Sequence, residues 1–556
     1  MRHRNLMPTI AHLIPTIARL QPAVVLSLVL AAPVASQELE KGPFLLTTAT
    51  IADINAAFES GALTSEKLIE LSLARIAAFD ESGPELNAVL ALSRNALAEA
   101  RALDAERARS GPRSPLHGIP VLLKDNFDTQ DMPTTGGSFV LAGSLPPDDA
   151  FLVRKLRDAG AIILAKTNMS EFASGDALSS IGGVTRNPHD IERSPSGSSI
   201  GTGVGIAAVY APLGLGTDTG GSIRAPASAN GIVGLRPTYG LLSRDGIIPL
   251  GLSFDMAGPM ARHVYDVAVS LGVLAGVDPA DEATARVAGR VESDYTAYLD
   301  ADALAGARIG VARQFLGQDG DVDWVVEVSL EAMRAAGATI VDVEFPEWLL
   351  RSRVDLYWTV RIPEFKPQMG AYLATLGDEY PKTVEELYRR STLLTSPSPE
   401  GYIPNASRWQ LLETEAQAGT LNDYDYLAVR NHGLPLIRDM VAGLFDAHGL
   451  DAIVYPTSPT RPTRIDADPP PQLVGGSALN ATLGTTPTNI ASLAGFPDLA
   501  VPAGFTASGL PVTLSFMGRA FSEPRLLALG YAFEQRTSAR RLPRHTPPLL
   551  GETLPY

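Results

Sequence analysis

The chain of 556 residues contains no cysteine, which excludes disulfide bonds, thiol nucleophiles, cysteine-based zinc sites and iron–sulfur clusters. Histidine is scarce as well, because its eight residues are scattered without an HExxH or HxH pair, and a metal site is not expected. Basic residues are the minority, with 45 Lys and Arg against 61 Asp and Glu and a net charge of −16. This balance argues against nucleic acid or an anionic membrane as a partner and suggests a neutral or cationic substrate. The alternative is that the acidic surface only keeps an exported protein soluble.

The N-terminus lacks an apolar run long enough to span a bilayer. Its apolar segment, Ala23–Ala32, follows several basic residues and precedes small residues at 34–36. This pattern is typical of a signal peptide, and we predict one over residues 1–36, with export to the periplasm or the medium. The alternatives are an uncleaved interfacial helix and a misassigned start codon, since the segment before the apolar run, which contains Pro8 and Pro15, is longer than in most signal peptides.

Short apolar segments alternate with helical patterns from about residue 120 onward. Such alternation predicts an α/β protein whose sheet is covered by helices on both faces. The predicted strands are 121–123, 161–165, 213–216, 308–311, 340–343 and 452–455.

Residues 345–450 interrupt this alternation with helical patterns that are rich in aromatic side chains. We interpret this segment as a helical cap insertion that closes over the active site and shapes its pocket. The alternative is that its aromatic residues only pack a helical subdomain.

Two segments carry residues suited to nucleophilic catalysis. Ser222 ends the glycine-rich sequence TDTGGS after a predicted strand, where backbone N–H groups can converge on an oxyanion and the hydroxyl can attack a carbonyl. Lys124 follows the predicted strand 121–123, so burial is expected to lower its pKa and make it a general base. Ser198 can relay a proton between the two.

Together these segments resemble the amidase signature family. The matching motifs are KDN at 124–126, GSS at 197–199 and GTDTGGSIR at 216–224, and Ser198 and Ser222 are 24 positions apart, as in that family. The resemblance extends over residues 45–540 and implies a single large α/β domain with a mixed central sheet.

The resemblance also implies a role for each matched residue. Lys124 would be the base, Ser198 the bridging serine with a cis peptide bond, and Ser222 the nucleophile. The oxyanion hole would comprise the N–H groups of Thr219, Gly220, Gly221 and Ser222. Asp218 and Arg224 would hold this loop in place, and no cofactor or metal is required.

The implied activity is hydrolysis of a linear amide through an acyl-enzyme. Residues 363–366 resemble the bacterial peptide-amidase branch, which favours a C-terminal peptide amide or another acylamide as the substrate. An aryl-acylamidase or a carbamate (urethane) hydrolase with the same three residues remains open. The family also includes a tRNA-amidotransferase component, but the predicted signal peptide argues against a cytosolic complex.

Three other interpretations compete with this one. Residues 197–201 match G-x-S-x-G, which would make Ser199 the nucleophile, although no strand precedes it. Residues 203–208 match a loose dinucleotide-binding pattern that also lacks its strand. A non-catalytic exported solute-binding protein is the third, but binding alone requires none of Lys124, Ser198 and Ser222.

Overall fold

The computed structural model describes residues 44–175, 177–465 and 487–555. The predicted signal peptide, residues 1–36, lies outside the described residues. These described residues form one compact unit. Within the described ranges, the helices are all too short or too polar to cross a membrane.

Eleven of the described strands form one mixed sheet, in the order β11-β10-β12-β14-β13-β8-β9-β7-β3-β4-β2. The strands are β1 (Phe44–Leu45), β2 (Val89–Leu92), β3 (Pro120–Lys124), β4 (Ile162–Thr167), β5 (Leu178–Ser179), β6 (Gly183–Val184), β7 (Leu213–Asp218), β8 (Val233–Arg236), β9 (Met256–Ala261), β10 (Arg308–Val311), β11 (Thr339–Asp342), β12 (Ala452–Pro456), β13 (Asp498–Phe505), β14 (Pro511–Met517) and β15 (Thr553–Leu554).

Helices occupy most of the connections between these strands. They are α1 (Ile51–Glu59), α2 (Ser65–Phe79), α3 (Ala96–Ser110), α4 (Phe151–Asp158), α5 (Ile200–Ala207), α6 (Arg224–Asn230), α7 (Val264–Leu274), α8 (Gly320–Ala335), α9 (Glu347–Ala374), α10 (Val384–Ser391), α11 (Ala406–Ala416), α12 (Tyr424–Ala428), α13 (Leu434–His448), α14 (Thr488–Ala494) and α15 (Glu523–Thr537). A π-helical turn, Val429–Gly433, joins α12 to α13.

Strand β3 shows how the sheet is buried on both faces. Its side chains alternate in direction, so Val121 and Leu123 pack in one core cluster with α4 and α7, whereas Leu122 packs in another with α2 and α5. All five residues of β3 are buried. The predicted α/β class with helices on both faces is confirmed by this arrangement and by the solved structures described below.

Strands β3 and β7 are parallel neighbours in the half of the sheet that ends at β2. The carboxyl ends of parallel strands meet at the same edge, which brings Lys124, the last residue of β3, close to Thr217 and Asp218 at the end of β7. On the other side of β7, β9 runs antiparallel. The sheet therefore places the lysine motif beside the glycine-rich motif.

Helices α9 to α13 occupy most of the segment 345–450. Within it, Tyr357 packs 5.2 Å from the ring of Phe254, which precedes β9. Tyr372 lies on the same helix and donates a hydrogen bond to a carboxylate oxygen of Asp128 at 2.8 Å. These two aromatic residues therefore attach the helices to the sheet domain.

Candidate active site

Lys124 is completely buried at the end of β3. Its Nζ lies 2.7 Å from Oγ of Ser198 and 2.6 Å from Oγ1 of Thr217. Burial lowers the pKa of Lys124 to about 7, although the negative charges of Asp218 and Asp255 partly oppose this shift. A large fraction of the amine is thus neutral near neutral pH and able to accept a proton.

Ser198 is held in an unusual backbone conformation just before α5. The peptide bond between Gly197 and Ser198 is cis, and Ser196 has a positive φ of 61°. A Cβ on Gly197 would lie 2.5 Å from Oγ of Ser170, so a larger residue here would displace the Ser170 hydroxyl. The carbonyl oxygen of Ser198 accepts a hydrogen bond from the N–H of Ser170 at 3.1 Å, which fixes the side chain beside Lys124.

Ser222 lies in the loop between β7 and α6. The N–H of Ser199 donates to its carbonyl oxygen at 3.1 Å, so the structure brings the segments of Ser198 and Ser222 together. Ser222 is partly exposed, whereas Lys124 and Ser198 are buried. A substrate can therefore reach Ser222, while the other two side chains are shielded from water.

The predicted oxyanion-hole loop has free backbone donors. Among the described residues, none accepts a hydrogen bond from the N–H of Gly220, Gly221 or Ser222. The side chain of Thr219 donates to Oδ1 of Asp255 at 2.6 Å, which anchors the start of the loop. Three unpaired amides next to a serine hydroxyl are suited to bind a negatively charged oxygen.

Asp218 and Arg224 clamp the two ends of this loop. Oδ1 and Oδ2 of Asp218 accept hydrogen bonds from Nη2 and Nε of Arg224 at 2.9 and 3.0 Å. Arg236 donates to Oδ1 at 3.1 Å. Burial alone would raise the pKa of Asp218, but Arg224 and Arg236 hold it well below its usual range, so the carboxylate remains charged.

Four residues of the site receive no role from the sequence. Thr217 Oγ1 contacts Lys124 and also accepts a hydrogen bond from Nδ2 of Asn126 at 3.1 Å. Thr217 and Asn126 lie inside the motifs 216–224 and 124–126, which could have revealed them. Thr488 Oγ1 donates to the carbonyl of Gly220 at 3.1 Å. Asp255 and Thr488 lie outside every motif, so no sequence signal marks them.

The structure also bears on the alternative nucleophile. Ser199 is completely buried, and its Oγ donates to the carbonyl of Thr217 at 3.2 Å while accepting from the N–H of the same residue at 3.2 Å. Its hydroxyl therefore hydrogen-bonds the start of α5 to the end of β7. Residues 203–208 lie almost entirely within α5, whose eight residues are all buried, and they pack as part of a helix.

A pocket opens beside this group of residues. Asn126, Thr217 and Thr219 line it together with the charged Arg244 and Asp255, and apolar residues such as Ile247, Ile248 and Met256 complete the wall. Its volume is about 10 Å³, close to the roughly 10–15 Å³ that a single water requires. Within the described part of the chain, His, Asp and Glu side chains form no group of three or more that could hold a metal ion.

Comparison with known proteins gives consistent matches over nearly the whole described chain. The family model named Amidase matches residues 67–527. Among curated proteins, a glutamyl-tRNA(Gln) amidotransferase subunit from Halorhodospira halophila is 38% identical over 499 residues, which cover 88% of this chain and 97% of that protein.

Solved structures include two kinds of relative. The native peptide amidase from Stenotrophomonas maltophilia is 40% identical, with a TM-score of 0.79, and the match covers 90% of this chain and 99% of that one. The corresponding glutamyl-tRNA(Gln) amidotransferase subunit from Thermotoga maritima is 26% identical, with a TM-score of 0.68 and coverage of 90% and 98%.

Proposed function

The chain belongs to the amidase family, and from this premise we propose that it hydrolyses linear amides with Ser222, Ser198 and Lys124. The observation that carries the proposal is the 2.7 Å contact between Lys124 Nζ and Ser198 Oγ. This contact lies in a buried site where the lysine pKa falls to about 7. The loop of Ser222 is hydrogen-bonded to the same serine segment.

The proposed reaction proceeds through an acyl-enzyme. Neutral Lys124 accepts the hydroxyl proton of Ser198, which accepts that of Ser222 as Ser222 Oγ bonds to the amide carbonyl carbon. The N–H groups of the loop 219–222 stabilise the negative carbonyl oxygen. The proton returns through Ser198 to the leaving nitrogen as the C–N bond breaks. Water then attacks the ester by the same route and releases the acid and free Ser222.

A C-terminal peptide amide is the substrate class that we favour. The observation that supports it is the 40% identity and TM-score of 0.79 to peptide amidases, one of them solved with the competitive inhibitor chymostatin. Aryl acylamides and carbamates react by the same steps, so they belong in the same substrate panel.

A component of an amidotransferase is the second candidate, because curated relatives with that name are 38% identical to this chain. We favour the hydrolase, since we also propose that residues 1–36 direct export. N-terminal sequencing of the protein recovered from outside the cytoplasm tests this part of the proposal. A mature chain beginning near residue 36 or 37 supports export, whereas an intact N-terminus on a purely cytoplasmic protein supports the second candidate.

Turnover by the purified chain alone tests the activity. The panel is an amidated peptide, an acyl p-nitroanilide and an aryl carbamate, each assayed with the wild type, with Ser222→Ala and with the exposed control Ser110→Ala. Release of ammonia from the peptide amide that is lost only in Ser222→Ala supports a peptide amidase. Preference for the anilide or carbamate changes the substrate class, and no turnover of any of the three contradicts the proposal.

A further inference from the structure

A second pocket, separate from the one beside Lys124, lies between the end of α14 and the start of α13. Its volume is about 110 Å³, well above the roughly 10–15 Å³ that a single water requires. Three arginines, Arg286, Arg430 and Arg438, line it together with Tyr239. Among the described residues, no Asp or Glu lines this pocket, which we call the arginine pocket.

The three arginines have no carboxylate partner. Within the described part of the chain, Arg286, Arg430 and Arg438 form no ion pair, whereas the neighbouring Arg244 is bound to Asp281 through Nε and Nη2. Arg438 uses Nε to donate to the carbonyl of Ala494 at 3.1 Å. The guanidinium of Arg286 lies 5.2 Å from the centre of the Tyr239 ring. Most of their N–H donors are therefore unused by the protein.

This concentration of like charge is unfavourable without a counter-charge. Burial lowers the pKa of Arg438, and the nearby Arg286 and Arg430 lower it further, although Asp439 opposes them. The chain carries a net charge of −16, so acidic partners are plentiful elsewhere on the molecule. Uncompensated arginines around a concave pocket are an arrangement suited to an anionic ligand.

One buried carboxylate beside the pocket, that of Glu364, is already occupied. Glu364 lies behind Ser253, which lines the arginine pocket, and it accepts hydrogen bonds from the N–H of Ser253 at 2.9 Å and from the hydroxyl of Tyr426 at 3.0 Å. These donors satisfy the carboxylate oxygens of Glu364. It therefore does not replace the missing partner of the arginines.

We propose that the arginine pocket binds a small oxyanion, a carboxylate or a phosphate. Guanidinium groups bind both through paired N–H donors whose fork matches the spacing of the two oxygens. The pocket differs from the one beside Thr217, since the two share no lining residue, although the consecutive Leu252 and Ser253 place them close together. The inference does not depend on which amide the enzyme hydrolyses.

Calorimetric titration of the full chain tests this site. Inorganic phosphate and acetate are added separately in Tris buffer at constant ionic strength, first to the wild type and then to the double variant Arg286→Gln/Arg430→Gln. Both arginines are exposed, so we expect the variant to fold, with an unchanged melting temperature. The matched control is Arg94→Gln, an exposed arginine outside the pocket.

We expect saturable binding of at least one probe, weakened at least tenfold in the double variant and unchanged in Arg94→Gln. Binding of phosphate alone assigns a phosphate site, and binding of acetate alone assigns a carboxylate site. Absence of saturable binding for both probes overturns the proposal. So does equal binding by the wild type and the folded double variant.

Discussion

At the scale of single residues, two buried lysines on adjacent strands differ in their partners. Lys166 on β4 is completely buried and pairs with Oδ1 of Asp125 at 3.3 Å. Lys124 on β3 has only neutral oxygens of Ser198 and Thr217 as hydrogen-bond partners among the described residues. An ammonium ion buried without a carboxylate is costly. Burial lowers the pKa of both lysines, and at Lys166 the negative charges of Asp125 and Asp128 oppose this shift. Of the two, Lys124 is the one that contacts Ser198.

The first prediction concerns the pH dependence of turnover. Because burial lowers the pKa of Lys124 to about 7, the base is protonated and inactive below that pH. We expect kcat/KM to rise about tenfold per pH unit between pH 5 and 6 and to level off above pH 8. The measurement is the pH profile for an amide substrate that is itself stable over this range.

Two lysine variants control this prediction. Lys124→Met removes the base and is expected to abolish turnover at every pH, whereas Lys124→Arg keeps a charged group and is expected to be equally inactive. Both should retain a cooperative melting transition. A wild-type profile that is flat between pH 5.5 and 8 would contradict the role of Lys124 as the base.

At the scale of elements, the loop between β7 and α6 depends on a distant helix. Helix α14 begins with Thr488, whose side-chain hydroxyl donates a hydrogen bond to the carbonyl of Gly220. The backbone carbonyl of Thr488 accepts a hydrogen bond from Nη1 of Arg224 at 2.7 Å. Gly221 lies between these two contact points along the chain and has a φ of +147°. The loop thus keeps its shape because α6 and α14 hold it from two sides.

The second prediction concerns Gly221→Ala. An added Cβ would lie 2.6 Å from Oγ1 of Thr488, in a backbone region that L side chains rarely adopt. Relief of this clash shifts the loop amides, so we expect kcat to fall at least tenfold, measured by steady-state kinetics. Gly443→Ala in α13 is the matched control, because its Cβ meets no atom within 4 Å. An unchanged kcat in Gly221→Ala would refute the proposed role of the loop.

At the scale of the whole molecule, the C-terminal segment is joined to the N-terminal helices. Arg75 on α2 and Glu552, one residue before β15, form a buried ion pair with Nη1 and Oε1 2.7 Å apart. Nη2 of Arg75 also donates to the carbonyl of Thr546 at 2.9 Å. Residues separated by almost the full length of the domain therefore stabilise each other.

The third prediction is that Glu552→Gln lowers the free energy of unfolding by about 3–5 kcal/mol, because it leaves the buried Arg75 without a counter-charge. Urea denaturation measures the change. The control is Glu66→Gln, which removes the carboxylate of an ion pair with the exposed Arg101 and should cost less than about 1 kcal/mol. Similar losses for the two variants would mean that the buried pair contributes no more than a surface pair.

The sequence alone determined the features that depend on short contiguous segments. Apolar runs predicted six strands of the sheet, because a strand buried on both faces has side chains that are nearly all apolar. Strands with an internal proline, such as β9 and β13, were missed, since proline has no N–H for the sheet ladder and usually argues against a central strand. The motifs around Lys124, Ser198 and Ser222 indicated the family.

Tertiary structure alone decided which distant residues complete the site. Thr488 and Asp255 contact the loop of Ser222 from other elements, and no local pattern marks them, because a hydrogen bond between remote segments leaves no periodicity in either. The arginine pocket has the same origin, since Arg286 lies far along the chain from Arg430 and Arg438, which share one continuous helical segment. Sequence patterns report local chemistry and burial, whereas the packing of the sheet and helices determines which side chains meet.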